Sequence, residues 1–90
     1  MNTYLVGYDL MKPGQDYSDL LDKLKSFGIW WHQLDSTWLV RTDLSAVSVR
    51  DELRKLMDIN DKLLVINVSG DSAAWTGFNE AGSKWIKDNL

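Results

Sequence analysis

The order in which hydrophobic spacing changes along the chain restricts the fold more than any other feature. From Thr3 to Leu10, the apolar side chains Tyr4, Val6, Tyr8 and Leu10 alternate with Leu5, Gly7 and Asp9, the two-residue period of a half-buried strand. Pro13-Gly14 marks a turn. Asp16 is placed to cap a helix in which Tyr17, Leu20, Leu21, Leu24 and Phe27 form one apolar stripe, and Gly28 stands where a left-handed C-terminal cap belongs. Residues 29–34 read as a second, aromatic strand and residues 37–42 as a third. Asp35-Ser36 turns between them, although the strong Asn-Gly hairpin signal is missing. Ser45 or Asp43 caps a second helix with Val49, Leu53, Leu56 and Met57 on its stripe. Asn60-Asp61 ends it, and residues 62–69 form a fourth strand.

That order is β-α-β-β-α-β. Two right-handed β-α-β halves predict an α+β, ferredoxin-like fold: a four-stranded antiparallel sheet with both helices on one face. Ninety residues leave room for a single domain. Its core spans residues 3–70, and residues 71–90 form a C-terminal appendage. Gly77 and Gly82 interrupt the appendage, which reads as a loop and a short last helix capped by Ser83 and anchored by Trp85 and Ile86.

Composition narrows the function classes. With 44% hydrophobic and 26% charged residues, the chain is not a disordered one. The absence of cysteine excludes disulfides, thiolate metal sites and cysteine nucleophiles, and fits a cytoplasmic home. No apolar run approaches the roughly 20 residues of a membrane span, so no membrane association is expected. A net charge of −3 argues against broad nucleic-acid binding.

Apolarity assigns Tyr4, Val6, Tyr8, Trp38, Val40, Leu64, Ile66 and Val68 to the helix-covered face of the sheet. Leu5, Gly7, Asp9, Thr37, Leu39, Arg41, Leu63, Val65, Asn67 and Ser69 then fall on the second face. That face is too apolar to stay bare. Its cover is either the C-terminal segment with Trp75, Phe78 and Trp85, or a second copy of the sheet. A homodimer using sheet and tail together is the expected arrangement, since two-fold dimers are the commonest oligomers.

Asp9 is the residue with most chemistry to offer. It ends the first strand just before the Pro-Gly turn. Two copies meeting about a two-fold axis would supply paired carboxylates for a hard cation such as Mg²⁺, able to activate water against a phosphodiester. The alternative is that Asp9 accepts loop amides and shapes the turn. His32, the sole histidine, is a candidate general base, because imidazole is the side chain whose unperturbed charge change falls near neutrality. A lone histidine on an aromatic strand is more often a packed or surface residue. Ser36 joins His32 and Asp35 in a nominal Ser-His-Asp set, but such near neighbours on a strand and turn rarely converge. Trp30, Trp31, Trp38, Tyr4 and Tyr8 offer rings on which the bases of single-stranded nucleic acid stack. The more usual use of such rings is to pack the core and the dimer seam. Adjacent Trp30 and Trp31 point to opposite faces, so only one of them can be core. Lys12, Arg41, Lys84 and Lys87 are candidate phosphate contacts.

The run Tyr4-Leu-Val-Gly-Tyr-Asp9-Leu10 resembles the opening strand of the CRISPR-associated protein 2 family, and the virulence-associated protein D family begins similarly. The helix ending at Gly28, the aromatic strand with Gln33 and the Ser36 that opens the next strand are also similar to that family. The small bacterial proteins labelled "SinR family" look alike too, although no helix-turn-helix is evident here. The likeness covers residues 1–42, and beyond them only the order of elements. It implies a homodimer of ferredoxin-like subunits with packed sheets. It also implies that Asp9 matches a metal-binding aspartate, so that the chain is expected to be a Mg²⁺-dependent endonuclease acting on RNA, with Ser36 and His32 as secondary site residues. The contrasting expectation is a non-enzymatic dimeric interaction protein with a protein partner, of toxin–antitoxin or scaffold type. The acidic charge and the lack of an arginine cluster after the first strand depart from the family pattern.

Overall fold

The computed structural model describes residues 1–12 and 14–90. Its elements run β1 (Asn2–Asp9), α1 (Ser18–Ser26), β2 (Ile29–Leu34), β3 (Thr37–Thr42), α2 (Ala46–Arg54), β4 (Lys62–Asn67) and α3 (Glu80–Asn89). The strands form one antiparallel sheet in the order β2-β3-β1-β4, which is the ferredoxin-like arrangement. Of the expected Pro13-Gly14 turn, Pro13 lies outside the described residues.

Local signals explain most boundaries. At α1 the expected cap is corrected: Tyr17, not Asp16, is the N-cap residue and its side chain makes no capping bond, while the Asp16 carboxylate accepts the Ser18 N–H at 2.9 Å from one residue further out. Gly28 adopts the left-handed conformation at φ +85° just beyond α1, where a Cβ would be strained. The Ser45 hydroxyl accepts the Ser48 N–H and caps α2.

α1 and α2 cover one face. Leu20 and Leu24 of α1 and Val49 and Leu53 of α2 bury themselves against Tyr4, Val6, Tyr8, Trp38 and Val40. Each such aliphatic side chain contributes about 1.5–3 kcal/mol through removal from water. Trp38 is the largest fully buried side chain, and its indole N–H donates to the Tyr8 hydroxyl at 3.0 Å.

The facing of β4 differs from the sequence reading. Val65 lies opposite Val6 and Leu63 opposite Tyr8, and paired residues share a face. Leu63 and Val65 therefore pack with the helix-side core, while Leu64, Ile66 and Val68 turn to the second face. Leu63-Leu64-Val65-Ile66 is apolar at every position, so alternation cannot phase it. Its register with β1 decides.

The C-terminal segment covers its own sheet. Trp31 and Leu39 on the second face are buried against Ile86 of α3, with Leu5, Val68, Trp75, Phe78, Trp85 and Leu90 around them. The Trp31 ring meets Phe78 edge-on at 4.8 Å, and its indole N–H donates to the Gly82 carbonyl at 3.2 Å. Two sequence expectations about this segment are corrected. Asn79, not Ser83, caps α3, accepting the Gly82 N–H at 2.8 Å; the Ser83 hydroxyl instead accepts the Trp75 indole N–H at 3.0 Å. Gly82 does not interrupt the helix but lies buried inside it. A Cβ there would come within 2.9 Å of the Gln33 side chain and push its exposed amide end aside.

Candidate functional site

The sequence candidates divide between the two faces of the sheet. Asp9 ends β1 on the second face, opposite Lys62. The Tyr8 N–H donates to the Ser36 carbonyl at 3.1 Å, which holds the β2–β3 turn against the end of β1. Asp9 and Ser36 thereby share a shallow, open cleft of about 360 Å³ with Gly7, Thr37, Lys62 and Leu64. His32 is not part of it. Its ring stacks on Trp38 at 3.9 Å and 12°, on the helix-covered side, and one ring nitrogen lies 3.2 Å from the Asp35 carbonyl. The sheet separates His32 from Asp9, and a base–nucleophile relay through His32 and Ser36 into the cleft is not assembled.

The cleft suits a divalent cation poorly within one chain. Hard cations take about six oxygen ligands, usually including more than one carboxylate. Asp9 brings one carboxylate, and the residue opposite it in the register is Lys62, a cation rather than a second carboxylate. Among the described residues, no group of three His, Cys, Asp or Glu side chains converges.

The loop after Asp9 is fixed by Asp61, which the sequence marks only as a helix breaker. One of its carboxylate oxygens accepts the Met11 N–H at 2.7 Å and the Tyr17 hydroxyl at 3.0 Å, and the other accepts the Asp58 N–H at 2.8 Å. Partial burial pushes the Asp61 carboxyl up. The hydrogen bonds from Met11, Asp58 and Tyr17 and the charge of Lys12 outweigh that, and its pKa falls below the ordinary 3.8. Burial, together with Asp61, pushes the Tyr17 phenol up.

A depressed carboxyl stabilises the fold above its unfolded pKa, and the contribution is lost as pH falls through the folded value. Asp61→Asn is therefore expected to melt below wild type at neutral pH, with the gap narrowing as the pH is brought below about 4. Thermal melts of both proteins across that range check this. A gap independent of pH would mean that the lost contacts, not the charge, carry the effect.

Of the candidate phosphate contacts, Arg41, Lys84 and Lys12 have partners within the chain. Arg41 donates through Nη1 to the Thr3 hydroxyl at 2.9 Å and to the Asn89 carbonyl at 3.1 Å. The Thr3 hydroxyl, fully buried, donates to the same Asn89 carbonyl. A guanidinium at the C-terminal end of α3 also suits the helix dipole. Lys84 pairs with Asp88, and Lys12 approaches Asp58 at 3.8 Å. Of the tryptophans read as base-stacking platforms, Trp31 and Trp38 are buried, and Trp30 remains 37% exposed beside Trp38.

A more apolar cleft lies elsewhere. A cleft of about 530 Å³ runs between the sheet and the tail, bordered by Trp31, Leu34, Leu39, Trp75, Phe78 and Leu90. Next to it on the second face, Leu64 and Ile66 are 56% and 44% exposed. No described helix is long and apolar enough to cross a membrane. Comparison with family models, curated proteins and solved structures returns no match.

Proposed function

We propose that this protein is a non-enzymatic interaction protein that associates with a second copy of itself, in a scaffolding or regulatory role. One observation carries the reading. The chain spends Trp31, Trp75, Phe78 and Trp85 on covering its own second face, yet leaves Leu64 and Ile66 bare at the edge of that same face. Uncovered apolar neighbours of this kind mark interaction sites. The separation of His32 from Asp9 and Ser36 is the complementary support, because it leaves the polar groups without a common centre.

A second reading, Mg²⁺-dependent cleavage of RNA, is favoured by the single cleft that Asp9 and Ser36 share. Magnesium titration followed by amide NMR separates the two, with wild type and Asp9→Asn side by side. The interaction reading expects no saturable shift at Asp9 or Leu10 in either protein. Saturable shifts centred there and abolished by Asp9→Asn would overturn it in favour of the metal site.

A further inference from the structure

β4 is an open edge. It ends the sheet and runs opposite β1 from Lys62 to Asn67 without a register shift. The Val68 N–H donates to the Thr3 carbonyl at 2.9 Å, extending the same register. In an antiparallel pair, main-chain groups alternate in direction. Val68, Ile66 and Leu64 therefore turn theirs to β1, and Leu63, Val65 and Asn67 turn theirs outward. Among the described residues, no other strand meets them.

Natural sheets blunt such edges with bulges, prolines, central charges or covering elements. The opposite edge, β2, follows that rule: its pairing shifts between Trp31 and Leu34, and α3 packs beside it. β4 does not follow it. It contains no proline, its only charge is Lys62 at the start, and its interior is Leu63-Leu64-Val65-Ile66. A groove of about 250 Å³ flanks it, bordered by Val47, Leu63, Leu64 and Val65. Val47 itself is 57% exposed.

We infer that β4 pairs antiparallel with β4 of a second copy, about a two-fold axis at Val65. The inference rests on the self-association proposed above and names its seam. An unpaired row of N–H and C=O groups calls for another strand, and the sequence of β4 is its own complement. The axis at Val65 sets Val65 against itself, Leu64 against the partner's Ile66, and Leu63 against the partner's Asn67. Leu64 and Ile66 then form one apolar strip across the seam, and Lys62 falls near the partner's Val68, away from the other Lys62. Arg50, beside the groove, is already paired with Asp51 at 2.9 Å. Two four-stranded sheets become one of eight strands. The tail stays on its own sheet, where a face-to-face dimer would displace it.

Light scattering across a concentration series tests this on three proteins. Wild type is expected to reach the mass of a dimer. Leu64→Lys combined with Ile66→Lys sets lysine against lysine across the seam and should weaken association by about tenfold or more. Both side chains are exposed in the single chain, so the melting temperature of the dilute protein should hold. Leu64→Glu combined with Ile66→Lys sets opposite charges across the seam in both copies and should recover most of the lost association. A wild-type dimer that the lysine pair leaves intact would overturn the β4 seam while sparing self-association. Loss without recovery in the mixed pair would overturn the axis at Val65. A wild-type monomer at every concentration would overturn both the seam and the reading beneath it.

Discussion

Trp38→Ala is expected to lower the unfolding free energy by about 3–5 kcal/mol, the usual cost of deleting a large buried ring. Trp38 has no exposed surface, sits among the strand and helix residues of the larger core, and holds the Tyr8 hydroxyl. His32 and Trp30 both rest on its ring, so the loss reaches the edge strand β2 as well. Domains of this kind have about 5–15 kcal/mol in total, and the variant should unfold early in a denaturant titration. Trp38→Phe, which keeps a ring but loses the indole N–H, should fall between the two. A loss under about 1 kcal/mol for the alanine variant would contradict the packing described.

Trp31→Ala should give a different kind of loss. Trp31 joins the second face to α3 through the Gly82 carbonyl and the edge-on contact with Phe78. The truncation has a cost of up to about 3–5 kcal/mol by the same rule, but the chain can limit it by releasing α3. The expected outcome is therefore local opening rather than global unfolding. Amides of α3 should lose protection from exchange while those of β1 and β3 keep theirs, and Leu5 and Leu39 should become accessible to an apolar dye. Equal loss of protection throughout would mean that the two cores unfold as one unit.

The fold was largely legible from spacing. The stripe from Tyr17 to Phe27 carries the periodicity of α1 and Gly28 its left-handed end, and the stripe of Val49 and Leu53 behind Ser45 carries both the periodicity and the N-cap of α2; Asp16 misled by one residue, since Tyr17 is the N-cap of α1. The strand Tyr4-Val6-Tyr8 alternates cleanly and faces the helices as expected. β4 was not legible in the same way. A run that is apolar on both faces has no phase of its own, and only pairing with β1 supplies one. Gly82 misleads for a related reason. Local propensity counts glycine against a helix, but Gly82 lies where α3 meets the Gln33 side chain, which a Cβ would push aside.

The candidate site was legible only in part. Asp9 and Ser36 do share a cleft, because the hairpin turn docks on the end of β1. His32 was a matter of strand parity: its ring shares the side of Trp38, and a short aromatic strand with apolar residues on both faces does not announce which side that is. The role of Arg41 depends on where α3 ends, which no local pattern conveys. The open edge did have a signal, the unbroken run Leu63 to Ile66 without proline or central charge, but strand order was needed to place it at the border of the sheet.

On the proposal above, the chain covers most of its own second face, leaves Leu64 and Ile66 bare, and meets a second copy along β4. Residue-resolved amide exchange in concentrated and dilute protein tests it most directly. Leu64 and Ile66 donate toward β1 and should be protected in both samples. Leu63, Val65 and Asn67 donate outward, so their amides should be protected only in the concentrated sample, giving an alternating pattern along one strand. If these three amides exchange freely in a sample shown to be dimeric, the copies do not meet along β4 and the account is contradicted.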